Sequence, residues 1–366
     1  MNPVDLRRND PNAPERPGNG HDGAGTRWLS REDLTALALF AVTGLLIVAS
    51  GWISPGLGSW SQARAILVLS TFVMVVGFGQ QTVILTGGLD LSIPATLTLG
   101  AVLMFSYVGG SSVALIWGVP LVLFVTGAIG AVSGLFIALL RVPPFIMTLA
   151  MGIILSSALL GITGGSPQGL ASRPLVGLFT ASWLGAPPII YVMAGLTGLV
   201  LLMQRRTAFG RMLYAIGTSP DAAHIAGLPV KRVTVLCYAI SGATAGFAGI
   251  LMVGFSEGAT LNSGDDVLIP SVAAVVVGGT SILGGRGTYL GVVGGALLLA
   301  TFSTMISALG LGAGWRAVIY GSVILLALLI LQQDSRLWSI RPRRAFGATA
   351  ADDVNEFSTR TGGPAS

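Results

Sequence analysis

The chain has 366 residues, 52% of them hydrophobic and only 10% charged, with a mean hydropathy of +0.80. A soluble domain carries about 25% charged residues, so this composition excludes a single water-soluble globule and excludes disorder over most of the length. The net charge of +5 comes almost entirely from arginine, Lys231 being the only lysine. In so apolar a chain it reads as charge bias between the two faces of a bilayer rather than as a nucleic-acid footprint.

Residues 1–33 hold 11 of the 35 charged side chains and residues 332–366 hold another 9. The protein therefore reads as a long apolar body, 34–332, between two short polar tails, 1–33 and 333–366, with the bilayer as its main solvent. The N-terminal stretch is rich in Pro, Gly, Asn and charge. It has no apolar run and reads as a disordered tail rather than a cleavable signal peptide.

A helix needs about 20 mostly apolar residues to cross the hydrocarbon. Ten candidates follow in chain order: 34–53, 64–86, 91–108, 113–139, 145–163, 187–204, 233–254, 267–283, 288–309 and 314–332. The runs are apolar on every face, whereas a membrane barrel alternates polar and apolar residues. The expected fold is all-α, integral to the membrane. Ten spans return both termini to one side. With both tails inside, 17 of the 20 basic residues fall on inner segments, leaving Arg64, Arg173 and Arg316 outside. This matches the positive-inside rule and predicts cytoplasmic termini.

Two connections are long. Residues 164–186 lie outside and include Phe179 and Trp183; residues 205–232 form the only large inner segment between spans. A weak echo links Leu91-Ser92-Ile93-Pro94, opening the third span, to Val267-Leu268-Ile269-Pro270, opening the eighth. Gly130 and Gly134 in the fourth span match Gly291 and Gly295 in the ninth. An offset of five spans implies an inverted pseudo-repeat, as in many transporters; chance similarity in a glycine-rich apolar sequence is the alternative. The many glycines suit close helix packing in lipid.

Chemistry is conspicuous by what is lacking. A phosphate-binding loop needs Gly-x-x-x-x-Gly-Lys-Ser/Thr, and the only lysine follows Val230. One cysteine, Cys237, and two distant histidines, His21 and His224, make no disulfide framework or metal cluster. No acid–base pair lies within the spans, so catalysis is not expected. Asp90 is the one candidate for an acid held in mid-membrane, in Thr86-Gly87-Gly88-Leu89-Asp90-Leu91-Ser92. It reads either as a functional acid at a broken helix or as a helix N-cap at the inner face, with Pro94 in the first turn.

Within 205–232, Ser219 or Asp221 can cap a short helix that Pro220 opens, Gly227 ends and Pro229 keeps from resuming. Small Ala222, Ala223 and Ala226 would let such a helix enter a groove on a partner; an ordinary basic loop at lipid phosphates is the alternative.

Here the sequence resembles a known family. Asp221-Ala222-Ala223-x-x-x-Gly227 is similar to the Glu-Ala-Ala-x-x-x-Gly loop of ABC importer permeases, with Asp in place of Glu. Gly87-Gly88-Leu89-Asp90-Leu91-Ser92 resembles the Gly-Gly-Ile-Asp-Leu-Ser signature of ribose-type sugar permeases. Pro144-Phe145-Ile146, Gly164-Gly165-Ser166-Pro167, Ala239–Gly249 and Gly278–Thr288 resemble that family too. The resemblance implies a homodimeric permease in the inner membrane, a separate cytoplasmic subunit that binds ATP and magnesium, and a periplasmic solute-binding protein. No cofactor is expected in this chain. The residues expected to carry ATPase coupling are Gly210, Asp221, Ala222, Ala223, Gly227 and Pro229. Those expected to line or gate a sugar path are Gln80, Gln81, Asp90, Ser92, Thr148 and Ser271, whose amides and hydroxyls exchange hydrogen bonds readily; bonding helix to helix is their alternative role. A branched-chain amino-acid permease is the neighbouring possibility. A secondary carrier or channel acting alone is the possibility from another class.

Overall fold

The computed structural model describes residues 31–52 and 56–339, so nearly all of the expected N-terminal tail and the chain beyond Ser339 lie outside the described residues. In chain order the helices are α1 (Arg31–Ser50), α2 (Trp60–Leu85), α3 (Ile93–Val102), α4 (Ala114–Leu140), α5 (Pro144–Thr163), α6 (Arg173–Thr180) and α7 (Pro188–Arg206). There follow α8 (Ala208–Thr218), α9 (Pro220–Ile225), α10 (Val230–Ser256), α11 (Leu268–Val277), α12 (Tyr289–Ala308) and α13 (Ala313–Ser339). A π-helical turn, Leu103–Val108, prolongs α3, and a 3-10 turn, Asp265–Val267, leads into α11. No strand occurs among the described residues; Trp183 and Ala186 make an isolated antiparallel bridge.

Among the described residues, seven helices are long and apolar enough to cross a membrane: α1 from Asp33, α2, α4, α5, α7, α10 and α12. The chain is thus an all-helical, multi-pass membrane protein. The other three expected spans are not among these seven. The third is α3 with its π-helical turn, the tenth begins the apolar stretch Gly314–Ala327, and the eighth shrinks to the 10 residues of α11. A ten-residue helix rises about 15 Å, half the hydrocarbon thickness of about 30 Å. The cause is local. Pro270 fixes the first turn of α11, Gly278 and Gly279 end it, and the polar stretch before it cannot continue the helix of α10. The last helix runs past the expected limit of 332 because no Gly or Pro intervenes before Pro342.

The body is built around α2, which is mostly buried, whereas α5 and α1 are mostly not. Helix α2 packs on α7, α10, α11 and α12; α10 packs on α3 and α4; α12 packs on α1 and α11. At two of these seams, α4–α10 and α11–α12, the helices meet backbone to backbone. A Cβ on Gly130 of α4 would run into the Tyr238 carbonyl of α10, and one on Gly291 of α12 into the Gly278 carbonyl at the end of α11. Such contacts are the usual glue of helices in lipid, where apolar burial supplies no drive. On the outside, Phe124, Phe136, Leu325 and Leu329 of α4 and α13 are exposed, which suits a lipid belt.

Both short helices begin inside the body. Asp90, just before α3, bonds Ser241, close to the midpoint of the 27-residue α10. Gly264, just before α11, abuts the Pro94 carbonyl, and its amide donates to Thr98 Oγ1 at 3.1 Å. The connection between α10 and α11 therefore dips from one end of the bundle to the first turn of α3.

Candidate functional site

The break between α2 and α3 is sealed. Gly87 turns the chain at φ +81°, a conformation cheap only for glycine. A Cβ on Gly88 would meet the Tyr238 hydroxyl. The chain then doubles back, and the Asp90 carboxylate, 1% exposed, accepts three hydrogen bonds. Ser92 donates its backbone amide at 2.9 Å and its hydroxyl at 2.6 Å to one oxygen; Ser241 of α10 donates at 2.6 Å to the other. Asp90 is neither a free acid nor the N-cap of α3. Ser92 holds the cap position, without a side-chain capping bond, while Asp90 closes a turn across Ser92 and ties the break to α10. The carboxylate lies level with Ser241, near the midpoint of α10, rather than at the end of the bundle where α2 stops.

Thr148 closes the same break from α5. Its hydroxyl accepts the Leu91 amide at 3.1 Å and lies 2.9 Å from the Pro144 carbonyl and 3.2 Å from the Leu89 carbonyl. Ser92 and Thr148 are 3% and 0% exposed. The structure thus brings Asp90, Ser92 and Thr148 together. The other three path candidates lie elsewhere in the bundle. Ser271 bonds within its own helix, to the Leu268 carbonyl at 2.8 Å. Gln81 is bonded through both ends of its amide, to Thr280 and Gln204. Gln80 is fully buried, and neither amide atom has a partner among the described residues. An unpaired buried amide costs roughly 1–3 kcal/mol, which sets Gln80 apart from the others.

All six candidates are buried, so no open lumen runs through them. The accessible feature beside the sealed break is a cleft of about 270 Å³ between α3 and α5, lined by Leu91, Pro94, Ala95, Gly152, Ser156 and Ser157 among others. Ser156 and Ser157 are exposed on an otherwise apolar helix. Sequence reasoning missed them, and missed Ser241, although Ser241 lay inside a stretch already marked as family-like. Their signal was a pair of hydroxyls on one face of an apolar run.

The segment between α7 and α10 folds as two short helices. Thr207 caps α8 by accepting the Gly210 amide, and Ser219 rather than Asp221 caps α9 by accepting the Ala222 amide at 3.3 Å. A Cβ on Gly210 would strike the Gln204 carbonyl, so Gly210 is a packing residue at the α7–α8 corner. Helix α9 ends in a Schellman pattern: Leu228 N donates to the Ala223 carbonyl and Gly227 N to the His224 carbonyl, both at 3.0 Å. Gly227, at φ +81°, has open space around it. Ala223 is 5% exposed and packs with Leu213, Ile216 and Val233 against Val83 and Tyr238. Asp221, Ala222, Ile225, Ala226 and Pro229 are exposed, Ile225 at 86%. Of the three alanines expected to enter a partner's groove, Ala222 and Ala226 are exposed and Ala223 is not, because α9 lays one side on its own chain.

The family described as "Branched-chain amino acid transport system / permease component" matches residues 62–331. The chain is 31% identical over 311 residues to the ribose import permease protein of Escherichia coli (strain K12), covering 84% of this chain and 97% of that one. It is 33% identical over 279 residues to the fructose import permease protein of Rhizobium meliloti, covering 73% and 76% respectively. It is also 33% identical over 294 residues to the galactose/methyl galactoside import permease protein of Haemophilus influenzae, covering 72% and 84%. No solved structure matches the chain to significance.

Proposed function

The chain belongs to the branched-chain amino acid transport system / permease component family, and from that premise we propose that it is the membrane-spanning subunit of an ATP-driven importer for a monosaccharide or related polyol. The sugar assignment is supported by the names of its relatives, ribose, fructose and galactose permeases, and by the Gly87–Ser92 stretch.

One observation carries the mechanism: a short helix, capped at both ends, that presents Ala222, Ile225 and Ala226 outward while Ala223 anchors it on the core. Small side chains beside one exposed isoleucine make a knob for a cleft on a cytoplasmic ATPase. Arg211, Lys231 and Arg232, all exposed, flank it and would meet acidic rim groups or lipid phosphate. ATP and magnesium bind that partner, since this chain lacks a phosphate-binding loop. A periplasmic binding protein delivers the solute. Alternating access, with helices moving about the sealed break, does the transport.

The topology belongs to this proposal: ten spans counting α3, α11 and α13, both termini cytoplasmic, in the inner membrane. Residues expected inside do cluster at one end, where the Gly285 amide bonds the Leu85 carbonyl at 3.0 Å and Arg205 pairs with Asp33 at 2.8 Å. An inverted repeat is supported by packing. Exchanging α2 with α10, α3 with α11, α4 with α12 and α5 with α13 turns the pairs α4–α10, α3–α10, α3–α5 and α4–α5 into α2–α12, α2–α11, α11–α13 and α12–α13, all of which occur.

Ser156 and Ser157 on the exposed face of α5 suit water better than lipid. A second copy of the chain against this face would enclose a path whose inner gate is Asp90, Ser92 and Thr148, with Gln80 available for solute hydroxyls once helices shift. Reconstitution with a partner ATPase subunit and a solute-binding protein tests the reading. ATP-dependent uptake of ribose, fructose or galactose is expected. Uptake of leucine instead would select the amino-acid branch, and sugar uptake by the chain alone would select a stand-alone carrier.

A further inference from the structure

A chain of buried hydrogen bonds runs across the α8–α9 end of the bundle. The backbone amide of Tyr289, first residue of α12, donates to Gln204 Oε1 at 3.1 Å. Gln204 Nε2 donates to Gln81 Oε1 at 2.9 Å, and Gln81 Nε2 donates to Thr280 Oγ1 at 3.1 Å. Gln204, Gln81 and Thr280 are 4%, 0% and 0% exposed. The chain therefore joins α7, α2, α12 and the loop 278–288 through side chains that have no contact with the outside.

Its position is specific. Gln204 lies three residues before the cap of α8, and its carbonyl is the surface on which Gly210 packs. Helix α8 grips the same loop directly: Tyr214 donates its hydroxyl to the Gly287 carbonyl at 2.7 Å. Gly217 is so close to the Leu85 carbonyl and to Gly285 that a Cβ would collide with both. The Leu85 carbonyl in turn accepts the Gly285 amide, at the last turn of α2 before the glycine break that holds Asp90.

We propose that the Gln81–Gln204 amide pair locks α7 and the α8–α9 cap to α2 and the loop 278–288, so that a push on α9 is delivered as a rigid-body shift to the break at Asp90. Apolar contacts between helices slide at little cost over a fraction of an ångström. Hydrogen bonds weaken steeply outside a narrow range of distance and angle, and a buried amide that loses its partner is left unsatisfied. Two glutamines each bonded at both ends thus fix the register of α7 on α2. Buried polar networks of this kind specify a unique arrangement more than they add stability. Gln81 and Gln204 are positioning residues: neither needs to touch the solute.

This inference rests on the importer reading, and its test separates the two. The wild-type importer, reconstituted with its ATPase and binding protein, is assayed for uptake of whichever of ribose, fructose or galactose it carries, for ATP hydrolysis and for ATPase co-purification. Absence of ATP-driven uptake by the wild type would defeat the reading itself. Given wild-type uptake, Gln204→Leu and Gln81→Leu are each expected to retain ATPase binding and basal hydrolysis within two-fold, while solute moved per ATP falls at least ten-fold. The double variant is expected to be no worse than either single one. Thr280→Val, nearly isosteric, keeps the experiment decisive if the leucine variants assemble poorly; it is expected to lower the ratio three- to five-fold with assembly unchanged. An unchanged ratio in assembled Gln204→Leu or Thr280→Val complexes would overturn the proposal. So would a loss of uptake matched by an equal loss of ATPase binding, which would make the pair merely structural.

Discussion

The chain passes from α2 to α3 through residues 86–92 and from α10 to α11 through residues 257–267. Each passage ends in an acid four residues before a helix-opening proline, Asp90 before Pro94 and Asp266 before Pro270. Asp90 is 1% exposed and triply bonded; Asp266 is exposed. The first passage is pinned by Thr148 and Ser241, whereas the second is polar and exposes Glu257, Thr260, Asn262, Asp265 and Asp266 as it dips to the first turn of α3. The difference teaches that two breaks of similar sequence can be packed differently, one closed over its acid and the other leaving its acid at the surface.

The largest expected effect tests whether the scaffold is alike in both halves. Gly130→Leu and Gly291→Leu each drive a side chain into a backbone carbonyl, of Tyr238 and Gly278 respectively. Each should lower stability by about 3 kcal/mol, the upper end of overpacking, read as a fall in the melting temperature of the detergent-solubilised protein. Tolerance of one and collapse with the other would break the likeness.

The next effect tests the asymmetry. Asp90→Ala strands the Ser92 amide and the Ser92 and Ser241 hydroxyls in a buried site, and should cost about 2–3 kcal/mol. Asp266→Ala removes an exposed group and should stay within about 0.5 kcal/mol. Equal melting shifts would mean that the two breaks are not differently packed.

Much of this was legible in the sequence. Apolar run length and charge located the long helices, and the Gly-Gly pair announced the break after α2. Ser219 and Pro220 marked the start of α9, with Asp221 left as an alternative cap, and Gly227 marked its end to within two residues. What stayed hidden depended on the third dimension. Length alone does not reveal that α11 has only 10 residues, because Val267–Leu283 is mostly apolar while Gly278 and Gly279 end the helix early. Gln81 and Gln80 are neighbours of the same type, yet one is doubly bonded and the other unpaired, a distinction set by Thr280 and Gln204 far along the chain. Ala222 and Ala223 likewise differ only by the face of α9 that meets the core.

A smaller effect is expected at the pin from α5. Thr148→Val keeps the shape but leaves the Leu91 amide without its acceptor, and should cost roughly 1–2 kcal/mol. If Thr148 is part of the inner gate, the same variant should also raise the leak of solute through proteoliposomes held without ATP. Stability lost with no leak would leave Thr148 as a helix staple only.

The smallest effect comes from one substitution made at two acids. Asp221 is exposed in the first turn of α9, where a negative charge favours the helix N-terminus. Asp221→Glu keeps that charge and adds a methylene into solvent, so stability should change by less than about 0.5 kcal/mol. The residue then matches the motif that this segment resembles, so ATP-driven uptake should also stay within two-fold. Asp90→Glu inserts the same methylene where Ser92 and Ser241 already hold both carboxylate oxygens at 2.6 Å, and overpacking should cost about 1–3 kcal/mol. The pair isolates environment from chemistry, since the atoms added are identical. A silent Asp90→Glu would mean that the break is looser than its hydrogen bonds indicate. A damaging Asp221→Glu, with α9 still folded, would mean that the exposed face of α9 is read by its partner at single-methylene precision.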